Sequence, residues 1–105
     1  MVQTSWRLLW RPEQSEVVVP ERRVTVAIPE GLHARPAALF VQLAGRQPVV
    51  VTVHKDGAKP ASAASILAVM ALGAKGGDDV VLTADGDGAE VALGALEEFL
   101  TTAEH

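Results

Sequence analysis

The apolar positions of this chain change period from about two to about 3.6 and back several times, and each change marks an element. In residues 23–28, Val24, Val26 and Ile28 alternate with Thr25 and Ala27, which predicts a half-buried strand. Ala37, Phe40, Val41 and Ala44 then fall at i, i+3, i+4 and i+7, one face of a helix expected over residues 34–45. Val49, Val51 and Val53 alternate with Val50, Thr52 and His54 in a second strand, and Asp56-Gly57 supplies a tight turn after it. A short third strand is expected near residues 58–61, confined to a sheet edge by Pro60. Ser65 is placed to cap a second, short helix ending near Gly73, and Gly76-Gly77 turn the chain. Residues 79–84 read as a fourth strand with Val80, Leu82 and Ala84 inward. In the last helix Ala89, Ala92, Leu93, Leu96, Phe99 and Leu100 mark one face, with Asp87 expected as its cap and Glu90 reaching back. Period-two strands interleaved with three amphipathic helices predict a two-layer α+β sandwich.

Residues 1–22 read differently. Trp6, Leu8, Leu9 and Trp10 are mixed with arginines, and Pro12 and Pro20 are expected to break any regular element. This stretch is expected to be an N-terminal extension, disordered or the product of a start site assigned too far upstream, ahead of one domain over residues 23–105. Because it holds both tryptophans, a partner-binding arm is the alternative. With 49% apolar residues among 105, the chain can build one core without staples. The absence of cysteine excludes disulfides and fits a reducing compartment. No apolar run approaches the roughly 20 residues that cross a bilayer. Arg7 and Arg11 interrupt any signal-peptide core, so a cytoplasmic protein with no membrane insertion is expected. The net charge of −4 is lopsided: every Lys and Arg lies at or before Lys75, while Asp78, Asp79, Asp85, Asp87, Glu90, Glu97, Glu98 and Glu104 follow it. That distribution lacks the basic stripe of a nucleic-acid surface.

The candidate chemistry concentrates in Gly31-Leu32-His33-Ala34-Arg35-Pro36-Ala37. Gly31 permits a sharp turn, and Pro36 suits a first helical turn, where a missing N–H costs nothing. His33 therefore falls at or just before a helix N-terminus, where free N–H groups and the positive end of the helix dipole favour anions. Arg35 adds a planar fork of donors suited to phosphate. An unperturbed imidazole, with a pKa of about 6.5, is largely neutral and nucleophilic near pH 7. These residues can hold a phosphoryl group on His33. They are also compatible with a plain helix cap at His33 and a surface ion pair at Arg35, and spacing alone leaves both open. His54 and His105 lack ligand spacing to His33 and there is no cysteine, so no metal site and no cofactor are expected.

Two blocks carry a family resemblance. GLHARPA resembles the active-site signature of the HPr family, the histidine phosphocarriers of the phosphoenolpyruvate-dependent sugar phosphotransferase system. Ser65-Ile66-Leu67-Ala68-Val69-Met70-Ala71-Leu72-Gly73 resembles the family's Ser-Ile-x-x-Val-Met-x-Leu-Gly segment. Gly77, a short strand and a final helix complete the likeness, which runs from about Arg23 to Leu100 and is closest in wording to the high-GC Gram-positive, actinobacterial branch. Two positions and one loop depart from the pattern. Glu30 stands where many members carry Asn or Ser, and a carboxylate there repels a phosphoryl group while favouring a protonated imidazole. Ala64 precedes Ser65 where many carry a basic residue, and the loop through residues 58–63 is one residue longer than in some members.

The resemblance implies an open-faced two-layer sandwich in the order βαββαβα, a four-stranded antiparallel sheet covered on one face by three helices. It implies a phosphocarrier and not an enzyme, with His33 accepting the phosphoryl group at Nδ1 from phosphorylated enzyme I and passing it to a sugar-specific enzyme IIA. Arg35 would steady the phosphoryl oxygens. Ser65 is the regulatory candidate, since some relatives are phosphorylated by an ATP-dependent kinase at the matching serine. The second helix is apolar nearly all round, and a layer over one sheet face cannot bury every side of it. Ile66 and Val69 are therefore assigned inward, and Leu67 and Met70 to a docking patch that Ala38, Leu39 and Gln42 extend. Enzyme I, enzyme IIA domains and regulatory proteins are the expected partners of a monomer. The alternatives are a regulatory module of the same fold, or a carrier in a nitrogen-type or dihydroxyacetone-type relay. A small-molecule-binding α+β domain is a more distant reading, for which the chain offers no set of convergent polar groups.

Overall fold

A computed structural model describes residues 5–9 and 17–102, with side chains from Val19 onward. The elements are β1 (Ser5–Leu9), β2 (Val17–Thr25), α1 (Ala34–Gly45), β3 (Val51–His54), β4 (Ala61–Ser62), α2 (Ile66–Ala71), β5 (Asp79–Ala84) and α3 (Ala89–Thr101). One antiparallel sheet runs in the order β1-β2-β5-β3-β4. Strands β2, β5, β3 and β4 with the three helices make the expected open-faced α+β sandwich, and β1 adds a fifth strand along β2.

The central register places Val24 opposite Val80 and Val53 opposite Leu82. These side chains share one face of the sheet because side chains alternate along a strand. They are buried there with Val26, Ile28, Ala37, Phe40, Val69, Leu93, Leu96 and Leu100, so the core lies between the sheet and the helices. Phe40 of α1 and Phe99 of α3 meet at a ring-centroid distance of 5.8 Å, tilted by 56°, a favoured edge-inclined arrangement.

Several boundaries differ from the sequence expectation. The boundary expected between residues 22 and 23 falls inside β2, because Val17 onward already pairs with β1. Residues 1–4 and 10–16 of the expected extension, Pro12 among them, lie outside the described residues. Pro20 does not break β2: it sits in the stretch paired only with β1, where one neighbour suffices and a lost N–H is tolerated. At its other end β2 stops at Thr25, since the Ala27 N–H donates to the Leu100 carbonyl at 2.8 Å and leaves the ladder.

The start of α3 is a second correction. Its N-cap is Gly88, at φ +92°, with no side-chain cap, and Glu90 turns to Arg22 of β2 instead of back to Asp87. A Cβ at residue 88 would lie 2.6 Å from the Pro48 ring, so the chain passes too close for any other residue. Arg22 lies across α3, donating from Nη2 to Glu90 Oε1 at 2.6 Å and from Nη1 to Glu97 Oε1 at 2.7 Å. Gly94 sits between those carboxylates on the same helix face, and a methyl there would meet Arg22 Nη1 at an ordinary 3.7 Å. Gly94→Ala is therefore expected to stabilise the fold by about 0.5–1 kcal/mol through helix propensity. A urea midpoint that falls instead of rising would show that the guanidinium needs the space.

Helix α2 is only six residues long, and Val69 is its buried member. Ile66, expected inward, is 37% exposed at the first turn, where this short helix offers a single turn to the core. Among the described residues no helix is long and apolar enough to cross a membrane, and no group of three potential ligands could hold a metal.

Candidate functional site

His33 is the N-cap residue of α1, with extended backbone (φ −74°, ψ −175°). Its carbonyl accepts the Ala37 N–H at 2.7 Å, while its side chain makes no cap bond and is exposed. The carbonyl bond is the first of the helix ladder, and the ring does not take up the capping role that the sequence left open. The first turn carries no acidic residue to occupy the positive end of this 12-residue helix. Arg35 is exposed in that turn.

Two loops hold this position by backbone contact. Gly31 adopts φ +73°, and a Cβ on it would lie 2.6 Å from the Lys75 Cα and closer still to the Ala74 carbonyl oxygen. The Leu32 N–H donates to that same carbonyl at 2.9 Å. Opposite, a Cβ on Gly76 would lie 2.8 Å from the carbonyl oxygens of both Ile28 and Pro29. The Gly77 N–H donates to the Val26 carbonyl and the Val26 N–H to that of Asp78, each at 2.8 Å. The segment before His33 and the segment after α2 therefore interlock. Asp78 closes the second loop, accepting from the Lys75 N–H at 2.9 Å and from Lys55 Nζ at 3.3 Å. The Lys75 N–H, followed by the Lys55 ammonium, holds the Asp78 carboxyl below its usual range. This clasp is complete at neutral pH and is lost as pH falls through that lowered value.

Beside His33 lies a shallow depression of about 170 Å³, lined by Leu32, His33, Met70, Gly73, Ala74 and Lys75. Helices α1 and α2 pack together. They expose Leu39 and Met70 in part and Leu67 at 80%, and Met70 also lines the depression. Ala38 and Gln42 of α1 are exposed as well. Ser65 is the N-cap of α2, and its hydroxyl accepts the Ala68 N–H at 3.2 Å. Glu30 is exposed in the turn preceding Gly31.

Sequence reasoning did not single out Lys75, Asp78 or the steric demand at Gly76. The Gly76-Gly77 pair read as a turn, and the one available signal was a lysine and an aspartate flanking it.

This arrangement joins an exposed imidazole, a helix start without an acidic residue and the half-exposed Met70, which suits a small anionic group held where a second protein can reach it. The family model described as PTS HPr component phosphorylation site matches residues 20–102. Phosphocarrier protein HPr of Streptomyces coelicolor is 51% identical over 80 residues, covering 76% of this chain and 86% of its own. Phosphocarrier protein HPr of Haloferax volcanii is 47% identical over 85 residues, covering 80% and 96%. The crystal structure of a phosphocarrier protein HPr from Bacillus anthracis superposes with a TM-score of 0.74 at 41% identity, covering 78% of this chain and 96% of that one. With its exposed histidine at a helix start and these matches over most of its length, the chain belongs to the HPr family of phosphocarriers of the phosphotransferase system.

Proposed function

We propose that this chain accepts a phosphoryl group on Nδ1 of His33 from phosphorylated enzyme I and delivers it to a sugar-specific enzyme IIA, in the cytoplasm. The observation that carries the reading is the exposed His33 ring at a helix start whose first turn holds no acidic residue. In the first transfer the lone pair of Nδ1 forms the P–N bond as the bond between phosphorus and its donor breaks, the donor keeping that bonding pair. The second transfer repeats this in reverse, with His33 as the leaving group. Such an exchange is mostly positioning and electrostatics. The first-turn N–H groups and the Arg35 fork meet the phosphoryl oxygens. Leu39, Leu67 and Met70, with Ala38 and Gln42 beside them, form the rim on which each partner docks in turn. An open site serves this use because two proteins must reach one nitrogen.

The test is incubation with enzyme I and labelled phosphoenolpyruvate. Wild type is expected to gain acid-labile label and His33→Ala none; a labelled His33→Ala protein would overturn the assignment. Arg35→Lys keeps the charge but loses the bidentate fork, and a fall of about tenfold in phosphorylation rate is expected, on the order of one charge-assisted hydrogen bond. Equal rates for Arg35→Lys and wild type would remove Arg35 from the mechanism.

A further inference from the structure

Lys75 is the one cationic side chain lining the His33 depression. Its Cα is held against Gly31, two residues before His33, in a contact too close to admit even a methyl group. Its N–H is fastened to Asp78 at 2.9 Å and the neighbouring Ala74 carbonyl to the Leu32 N–H, so the root of the side chain has little freedom. The ammonium, by contrast, has no carboxylate within 4.0 Å among the described residues, and the side chain is exposed. Asp78, the nearby acid, takes the Lys55 ammonium instead, at 3.3 Å. A fixed root, a cation that acts on Asp78 only from beyond ion-pair distance and a shared depression together suit a group that arrives carrying negative charge.

We propose that Lys75 is a second cation of this site, one that meets the phosphoryl oxygens while the group rides on His33. The inference rests on the phosphocarrier reading and adds a contact to it. Arg35 reaches the phosphoryl group from the helix side, and Lys75 from the loop after α2. The flexible lysine stem lets the ammonium follow the group as partners come and go. It also opposes the repulsion expected from Glu30 in the preceding turn.

The experiment loads His33 chemically, so that enzyme I is not needed. Potassium phosphoramidate supplies the group: its P–N bond breaks, the P–Nδ1 bond forms, and ammonia leaves. The phosphorus NMR signal of the isolated phosphoprotein is then followed against pH in wild type, Lys75→Met and Lys75→Arg. A cation in contact favours the dianionic phosphoryl group and lowers its last ionisation. In Lys75→Met that ionisation is expected to rise by about half a pH unit, the scale of one unit charge at contact distance in water. Lys75→Arg is expected to restore the wild-type value. Amide spectra of the unphosphorylated proteins identify any loss of fold, and the titrations are compared among variants that keep the wild-type spectrum. Coincident titrations of wild type and Lys75→Met overturn the proposal, as does a Lys75→Arg protein that behaves like Lys75→Met. If phosphoramidate loads His33 and enzyme I does not, the carrier reading fails while the Lys75 comparison still stands. If nothing loads His33, both fall.

Discussion

Gly31→Ala is expected to destabilise the fold by about 3 kcal/mol and to slow phosphorylation of His33 by at least about tenfold. Two costs combine. At φ +73° a side chain occupies left-handed backbone, which costs roughly 1–2 kcal/mol. The added methyl also runs into the Ala74 carbonyl and the Lys75 Cα, and these are backbone atoms that cannot rotate away. Relief requires the two loops to part, which breaks the Leu32–Ala74 hydrogen bond and displaces His33 two residues on. Misplacement of a reacting atom by about 1 Å can cost on the order of 100-fold in rate. Gly57→Ala is the matched control. It too has positive φ, +81°, but nothing stands within 4 Å. It should cost about 1 kcal/mol and leave phosphorylation unchanged. Denaturant midpoints and initial rates for the pair decide the matter: equal losses in both would mean that strain alone, and not the loop contact, gives Gly31 its importance.

Phe40→Ala is expected to cost about 3–5 kcal/mol, the range for deleting a fully buried aromatic ring. Phe40 is 0% exposed and tilts against Phe99, so the substitution removes an aromatic pair and leaves a cavity where α1 and α3 meet. With about 4–8 °C of melting temperature per kcal/mol for a domain near this size, a fall of more than about 12 °C is expected. Leu67→Ala also deletes apolar atoms, but from a side chain 80% exposed, and should change stability by no more than about 0.5 kcal/mol. On the docking role proposed for Leu67, its effect is expected as a raised KM in phosphoryl transfer from enzyme I. A Phe40→Ala protein melting with the wild type would contradict the core placed between the helices and the sheet.

Much of the domain is legible in the residues because its elements are amphipathic and individually patterned. The boundaries expected for α1 and β5 coincide with the structure, and the apolar face expected for α3 is its buried face. Where the reading fails, a distant partner has outweighed a local preference. Glu90 is three residues beyond Asp87 and suits a capping box, yet it binds Arg22, 68 residues away in the chain. Pro20 has the look of a breaker, yet it lies in the stretch of β2 that pairs with β1 alone. Ile66 and Val69 share a helix face, but a helix this short brings one of them to the core.

The local chain by itself determined the positions of His33 and Arg35 at the start of a helix, because Gly31, Pro36 and the apolar period that follows act within a few residues of one another. Tertiary structure decided what surrounds them. Lys75 reaches the depression beside His33 because Gly31 and Gly76 let two loops, more than 40 residues apart in sequence, close to backbone contact. No local pattern records such a contact, since it depends on both glycines lacking a Cβ and on the sheet and helices bringing them face to face.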